Sequence, residues 1–451
     1  MNLDNTIFKA YDIRGIYNEN LFPETATLIA RAFTKILAPK TIIIGRDGRV
    51  SGPELHKSLV DGFTQSGVNV IDIGMVSTDM YYFACAEKKL PGIMITASHN
   101  PKEYNGFKMV RQIPYLLSGD DGIQEIRQAI EKGDLAPLSN VLGNITTENV
   151  MDEFINRILK LVPDSSNLKP MKIVVDTSNG MVGPSFTQLA KKLPQLNIIP
   201  MYFEVDGTFP NHAGDPLVAE NRRELEERVL KENADLGFAF DPDGDRFFCI
   251  DKKGRFVPGD FMTALLSKYF LQHKPGSSIV YDIRASYVVP DTINKLGGRA
   301  LYNKVGHAFI KRRMMDEDAI FGGEVSGHYY FADYYFCDSG LAPAMFLLDF
   351  LSNSEKTLDS LVDEISKHYY ISGEINTKGV DSKKVFEKLE EVYGKNSIET
   401  LYVDGVSMKF GDWHFNVRSS NTEPLVRLNL EANSEDLMNA KTEEVLSLIR
   451  S

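Results

Sequence analysis

Three stretches of the chain repeat one design: a β-branched apolar run that breaks off into a polar loop. They are Thr41-Ile-Ile-Ile-Gly-Arg-Asp-Gly-Arg49, Lys172-Ile-Val-Val-Asp-Thr-Ser-Asn-Gly180 and Ser278-Ile-Val-Tyr-Asp-Ile-Arg-Ala-Ser286. A segment of helical period follows each, and then a second strand-like run at residues 68–73, 197–202 and 299–302. A strand covered on both faces reads as a continuous apolar run, and its alternation with helices implies β-α-β units in mixed sheets. The three units start about 105 to 130 residues apart, at 41, 172 and 278. That period is too long for a solenoid and predicts three similar α/β domains.

The last part of the chain is written differently. Apolar runs at 406–410 and 413–417 flank Gly411-Asp412, a two-residue hairpin signal. Another strand is expected at 425–430, and Ser434 with Glu435 and Asp436 marks the start of a terminal helix. From about Tyr370 onward the chain therefore predicts a smaller α+β domain. Helices are also expected at 23–38, opened by Pro23, at 123–132, closed by Gly133, and at 148–161. The expected domains are 1–146, 147–252, 253–367 and 368–451.

A chain of 451 residues, 43% hydrophobic and 25% charged, is long enough for several cores. Its formal net charge of −12 argues against nucleic-acid binding, which needs a basic surface. The three cysteines, Cys85, Cys249 and Cys337, lie far apart with no metal-like spacing, as expected for reduced thiols in a cytoplasmic protein. The N-terminal stretch lacks a long apolar core, and the apolar run at 341–351 contains Asp349, so neither a signal peptide nor a membrane span is expected.

Against that background several polar loops stand out. In Thr96-Ala-Ser-His-Asn-Pro-Lys-Glu-Tyr-Asn-Gly-Phe-Lys108, Ser98 follows a buried-strand signature, Gly92-Ile-Met-Ile95. Such a strand lifts a hydroxyl to the C-terminal edge of a sheet, where open α/β sheets bind ligands. His99, Asn100 and Lys108 would suit a serine that handles negative charge. The residues alone leave open whether Ser98 is a nucleophile, a phosphate carrier or a polar loop residue. In Asp241-Pro-Asp-Gly-Asp-Arg246, three carboxylates at alternate positions lie between two apolar runs. They would repel strongly without a cation, and three carboxylates leave sites open, which suits Mg²⁺ with a phosphate oxygen as a further ligand. An EF-hand is excluded because Arg246 and Lys252 stand where Gly and Glu are required.

Gly322-Gly-Glu-Val-Ser-Gly-His328 offers an acceptor, a donor and a proton-transfer group in a loop that permits close approach. Arg418-Ser-Ser-Asn-Thr-Glu-Pro424 has the make-up of a phosphate cradle, or of a plain polar turn. In Lys9-Ala-Tyr-Asp-Ile-Arg-Gly15, Arg14 suits an anion or a structural salt bridge equally. His56, His212 and His368 are expected to serve only surface or core roles. Neither a P-loop, a dinucleotide fingerprint nor a nucleophile elbow occurs.

Taken together, Tyr11-Asp-Ile-Arg-Gly15, Thr96-Ala-Ser-His-Asn-Pro101, the triple-Asp loop, Gly323-Glu-Val-Ser-Gly-His328 and Arg418-Ser-Ser-Asn-Thr422 resemble, in order, the motifs of the α-D-phosphohexomutases. The resemblance spans almost the whole chain and is strongest to the bacterial phosphomannomutase/phosphoglucomutase group. It implies a four-domain, heart-shaped protein with a central cleft, and a mutase that interconverts hexose 1- and 6-phosphates. Ser98 would be the phosphoserine. Asp241, Asp243 and Asp245 would hold one Mg²⁺ together with an oxygen on Ser98. Glu324 and Ser326 would bind sugar hydroxyls, and Arg418, Ser420, Asn421 and Thr422 the phosphate not in transfer. Tyr11, Arg14, Arg284 and His307 would also meet substrate, while His99, Lys108, Arg246 and His328 would supply the polar groups of catalysis. A hexose 1,6-bisphosphate would be the intermediate, with glucose 1,6-bisphosphate as activator. The expected partner is a small phosphosugar, with no nucleic acid or membrane, and the expected state is a monomer or weak homodimer.

Four positions depart from the family pattern: Asp79 where proline is frequent, Pro242 in the metal loop, Val325 in the sugar loop, and Arg284 where dual-specificity members usually carry lysine. Arginine does not readily exchange a proton near neutral pH, so an acid–base role at position 284 is in doubt. Two alternatives accompany the mutase reading. One is a phosphoglucosamine mutase, disfavoured by Tyr11-Asp-Ile-Arg-Gly15 and by Glu103-Tyr-Asn-Gly-Phe-Lys108. The other is a phosphosugar-binding regulator without catalysis, disfavoured by the intact serine and aspartates.

Overall fold

The computed structural model describes residues 4–119, 121–419 and 425–451. Two compact units emerge, and each recruits two stretches of chain. One contains Met1–Val257 with Ser326–Glu355, the other Pro258–Val325 with Lys356–Ser451.

The first unit holds two mixed sheets. In the first sheet the strand order is Ile13–Ile16, Tyr104–Gln112, Gly92–Ile95, Thr41–Arg46, Asn69–Met75 and Ile145–Thr147, with Tyr115–Leu116 hairpinned onto the long strand. Thr41–Arg46 and Gly92–Ile95 run parallel, with Arg46 opposite Ile95. Their C-terminal ends are therefore side by side, which puts Asp47–Arg49 next to Thr96–Ser98. Ile42, Ile44, Ile93, Ile95 and Phe107 are buried against Phe33, Leu55, Leu59 and Phe63 of the helices Pro23–Leu37 and Gly52–Gln65. Each such side chain contributes roughly 1.5–3 kcal/mol on burial.

The second sheet runs Phe256–Val257, Phe247–Asp251, Leu236–Phe240, Met171–Asp176 and Leu196–Met201. Leu236–Phe240 is parallel to Met171–Asp176, with Ala239 opposite Asp176, and antiparallel to Phe247–Asp251, with Phe240 opposite Phe247. The six residues from Asp241 to Arg246 thus form a hairpin tip beside the turn Thr177–Gly180. The unit is completed by the antiparallel pair Tyr329–Phe331 and Cys337–Asp338 and by the helix Leu341–Ser352.

In the second unit Arg299–Asn303, Ser278–Asp282 and Ala319–Gly323 form a parallel ladder. Beyond it lies an antiparallel sheet in the order Tyr370–Ile371, Leu425–Ala432, Trp413–Ser419, Val406–Lys409 and Glu399–Leu401, with Ile375–Lys378 also paired to Leu425–Ala432. Phe415, Val417, Leu428 and Leu430 of that sheet pack on Val385, Leu389, Val445 and Ile449 of its helices. The expected hairpin is present, closed by the Phe410 amide donating to the Trp413 carbonyl at 2.9 Å, with the two rings stacked.

The pattern of three α/β domains and a smaller antiparallel one matches the reading of the sequence. The helix expected at 148–161 is shorter, Met151–Leu159; ahead of it the Asn149 side chain accepts the Met151 amide at 3.0 Å, a local turn that keeps residue 149 out of the helix. Among the described residues no helix is long and apolar enough to cross a membrane.

Candidate active site

Ser98 sits where Gly92–Ile95 gives out, in a left-handed backbone conformation with φ of 49°. For a residue with a side chain this costs about 1–3 kcal/mol and persists only where the surroundings impose it. The surroundings are Arg49. This guanidinium, 1% exposed, donates to the carbonyls of Ser98, Asn100, Pro101 and Tyr104 at 2.7 to 2.9 Å and pairs with Asp47 at 3.2 Å. The Ser98 amide donates to the Thr96 hydroxyl at 2.9 Å. Arg14 reaches the same loop through Asn100 at 2.6 Å and is paired with Asp12. The Ser98 hydroxyl donates to Oδ2 of Asp241 at 2.8 Å and has Nδ1 of His99 at 3.2 Å. The serine and triple-Asp motifs, 143 positions apart in the chain, are one cluster.

Asp241, Asp243 and Asp245 are all at most 1% exposed, and each presents an oxygen within 4.8 Å of the others. Gly244, with φ of 75°, permits the tight turn between them. Lys108 donates to both Asp243, at 2.7 Å, and Asp245. Asp243 also accepts from the hydroxyls of Thr78 at 2.7 Å and Thr96 at 3.2 Å. Arg246 lies 3.7 Å from Asp241, and Nε2 of His328 is 3.4 Å from Asp245. His328 is further tied to Ser326, 3.0 Å from its Nδ1.

Burial raises all three carboxyls, but the outcome differs among them. Asp241 ends well above the usual carboxylate range, with Asp243 and Asp245 adding to the burial. In Asp243 and Asp245 burial is outweighed by Lys108, helped at Asp245 by His328, and both end below that range. Burial lowers the Lys108 pKa, but the two carboxylates overcome it and hold the ammonium above its usual range. His99 is driven well below the ordinary imidazole value by burial and then by Arg246 and Arg14, so its ring is neutral. The same surroundings disfavour the imidazolium, so His99 is a neutral hydrogen-bonding partner beside the serine hydroxyl and a weak base.

The acidic cluster can hold a divalent metal. The fit rests on an electrostatic deficit: Oδ1 of Asp243 is buried without a hydrogen-bond partner among the described residues, a costly state for a carboxylate oxygen. A hard cation satisfies that oxygen, and the all-oxygen donor set suits one.

In the second unit Glu324 is buried and accepts the Gly306 amide at 2.9 Å. Gly306 precedes the helix His307–Asp316, which places His307 at its first position. Arg418 is buried, 3.3 Å from Asp404, which also accepts the Val305 amide at 3.1 Å. Arg284 forks onto Asp282 at 3.1 and 2.9 Å and pairs with Glu374 at 2.9 Å. Ser420, Asn421 and Thr422 lie outside the described residues. The expected residues thus group as Tyr11, Arg14, Ser98, His99, Lys108, the three aspartates, Arg246, Ser326 and His328 in one unit, and Arg284, His307, Glu324 and Arg418 in the other.

Two of the departures, Asp79 and Pro242, have local partners. Asp79 accepts from the hydroxyls of Ser77 at 2.5 Å and Ser339 at 2.7 Å. Pro242 is seated against Gly180, whose added methyl would stand 2.5 Å from the Pro242 Cα. Arg49 is not among the residues the sequence singles out, although its loop ends one of the three repeated strands. The one available signal is a second buried strand that ends in a charged loop at the same sheet edge as Ser98.

The candidate site is thus a serine hydrogen-bonded to a triad of buried carboxylates at the edges of two α/β sheets. Family models describing the alpha/beta/alpha domains I, II and III and the C-terminal domain of phosphoglucomutase/phosphomannomutase match residues 5–137, 152–254, 258–369 and 374–448. The phosphomannomutase of Escherichia coli K12 is 39% identical over 98% of this chain and 99% of its own length. That of Vibrio cholerae is 40% identical over 99% and 98%. The crystal structure of a phosphoglucomutase/phosphomannomutase family protein from Burkholderia thailandensis superimposes with a TM-score of 0.89 at 32% identity, covering 100% of this chain and 98% of that one. The chain belongs to the phosphoglucomutase/phosphomannomutase family and is a phosphohexomutase.

Proposed function

We propose that this enzyme interconverts the 1- and 6-phosphates of mannose, glucose or both, through a phosphoserine at position 98 and a bound hexose 1,6-bisphosphate. The hydrogen bond from Ser98 to Asp241 carries the reading, because it joins the candidate nucleophile to the candidate metal site. The names of the relatives support the sugar class. Asp241, Asp243, Asp245 and an oxygen on Ser98 would hold one Mg²⁺. When bound, the cation neutralises charge on the seryl phosphate and makes it a better donor.

In the first half-reaction the bond between phosphorus and the Ser98 oxygen breaks as a bond forms to the free hydroxyl of the monophosphate, and the proton of that hydroxyl passes to the freed Ser98 oxygen. Lys108 and Arg246 steady the charge of the phosphoryl group, since this chemistry depends mainly on positioning and electrostatics. The bisphosphate turns around, and Ser98 then takes back the other phosphoryl group. In that step the hydroxyl proton of Ser98 passes to the sugar oxygen that gives up the phosphoryl group, and His99, 3.2 Å from the Ser98 oxygen, would steady that hydroxyl as a neutral partner. Glu324 and Ser326 take sugar hydroxyls, and Arg418 with Ser420, Asn421 and Thr422 takes the phosphate that stays on the sugar. Tyr11, Arg14 and His307 support the substrate, and Arg284 acts through the carboxylates it holds. Glucose 1,6-bisphosphate restores any enzyme that has lost its phosphoryl group.

Ser98→Ala should reduce turnover to background while hexose 1-phosphate still binds by calorimetry. Full activity in that variant would overturn the mechanism. Turnover compared on mannose, glucose and glucosamine 1-phosphates tests the substrate class, and a preference for the amino sugar would overturn it.

A further inference from the structure

The loop from Phe203 to Pro216 is fixed at both ends of its path to the two halves of the candidate site. Near its start, an added methyl at Gly207 would stand 2.7 Å from the Arg49 Cα, and the Phe209 ring lies 5.3 Å from the Arg49 guanidinium. This is the same arginine that holds the Ser98 loop. Further on, a methyl at Gly214 would overlap the Pro242 ring, 2.6 Å from its Cδ, and would sit 3.8 Å from the His99 Cα. The loop thus touches both the serine and metal loops, and seals Pro242 against Gly180 on the other side.

Among the anchors of the loop, His212 ties its middle to the second sheet. Its Nε2 is 3.0 Å from Oδ2 of Asp176, at the end of the strand Met171–Asp176, and its Nδ1 is 2.8 Å from the Ala213 carbonyl. Both ring nitrogens face acceptors, so the imidazolium satisfies both. The pair is largely buried, with side chains 12% and 3% exposed. Asn211 adds a bond to Asn179 at 2.8 Å, and Asp215 lies 3.9 Å from Arg246.

We infer that this loop is a strap that keeps the phosphoserine and metal loops in register, and that His212, latched to Asp176, is its positioning residue. The inference rests on the phosphohexomutase reading. His212 touches neither Ser98 nor the aspartates, so its effect is on the alignment of the reacting groups and not on sugar affinity. Misplacement by about 1 Å costs on the order of 10²-fold in rate.

The test uses the full chain with Mg²⁺ and glucose 1,6-bisphosphate, and compares His212→Ala, Asp176→Asn, the double variant, His212→Gln and Gly214→Ala. The expected result is a fall in kcat of about 10- to 100-fold for His212→Ala, with KM for hexose 1-phosphate changed by less than about threefold. Asp176→Asn should cost as much, and the double variant no more, because both break one interaction. His212→Gln, which keeps a donor toward Asp176, should recover part of the loss. If His212→Ala does not fold, Gly214→Ala gives the answer by displacing Pro242, with the same loss in kcat. Wild-type kcat in folded His212→Ala or Gly214→Ala, or additive losses in the double variant, would overturn the strap alone. No turnover by the wild-type chain on any hexose phosphate would overturn the phosphohexomutase reading and the strap with it.

Discussion

Two buried ionic clusters, one in each unit, solve the same problem in opposite ways. In the second unit, Arg284 places all three guanidinium nitrogens on Asp282 and Glu374, and both oxygens of each carboxylate are used. In the first unit, three aspartates compete for Lys108 and Arg246, one carboxyl is pushed far from its usual range, and an oxygen of Asp243 is left unmatched. The first arrangement is finished by the protein itself. The second carries a deficit that a cation and a phosphoryl group would fill. Buried charge supports structure where it is complete and supports chemistry where it is not.

The sharpest break in that comparison is Arg49, which lies in the first unit beside the candidate site but is itself fully paired. Arg49→Ala strands Asp47 and four carbonyls, and should lower stability by roughly 3–5 kcal/mol and remove activity. Denaturant unfolding measures the first effect. Arg49→Lys keeps the charge without the fork and should remain well below wild type in both respects.

Next in size, neutralising one carboxylate should change stability with opposite sign in the two clusters. Glu374→Gln leaves Arg284 and Arg427 short of an anion and should destabilise by about 1–3 kcal/mol. Asp241→Asn relieves repulsion and should raise stability by about 1–2 kcal/mol in chelator, while abolishing both stabilisation by Mg²⁺ and turnover. Melting curves with and without Mg²⁺ decide; destabilisation of metal-free Asp241→Asn would break the comparison.

The smallest effect, taken per pH unit, is on pH dependence. Burial raises the Asp79 carboxyl to about 6 in the first unit, and in the second it raises Glu431, assisted by Asp260, to about 8. Between its unfolded value and these folded values, each group binds more protons in the native state than in the unfolded one. Stability therefore falls as pH rises through the window, by at most about 1.4 kcal/mol per pH unit for each group. The window closes near pH 6 for Asp79 and near pH 8 for Glu431. Asp79→Asn should flatten the slope only below pH 6, and Glu431→Gln should also flatten it from pH 6 to 8, as measured by urea unfolding at each pH.

The sequence shows the elements of the candidate site better than their supports. Ser98 and the aspartates are legible because their chemistry demands particular residue types within a few positions, at the end of a visibly apolar strand. The α/β pattern is legible for the same reason: buried strands must be continuous and apolar. Arg49 is not legible, because its partners are backbone carbonyls 49 to 55 positions away, and any residue type supplies a carbonyl. His212, which the sequence suggests has only a surface or core role, meets Asp176 across 36 positions through the fold of the second sheet. Arg284 is visible as an arginine, but its engagement with Glu374, 90 positions on, depends on tertiary packing.

The most direct test of the account is peptide mass mapping of the full-length protein after incubation with Mg²⁺ and glucose 1,6-bisphosphate. One phosphoryl group on Ser98, lost on addition of hexose monophosphate under single-turnover conditions and regained during steady turnover, is the predicted result. Steady turnover with Ser98 never phosphorylated, or with the phosphoryl group on another residue, would contradict it.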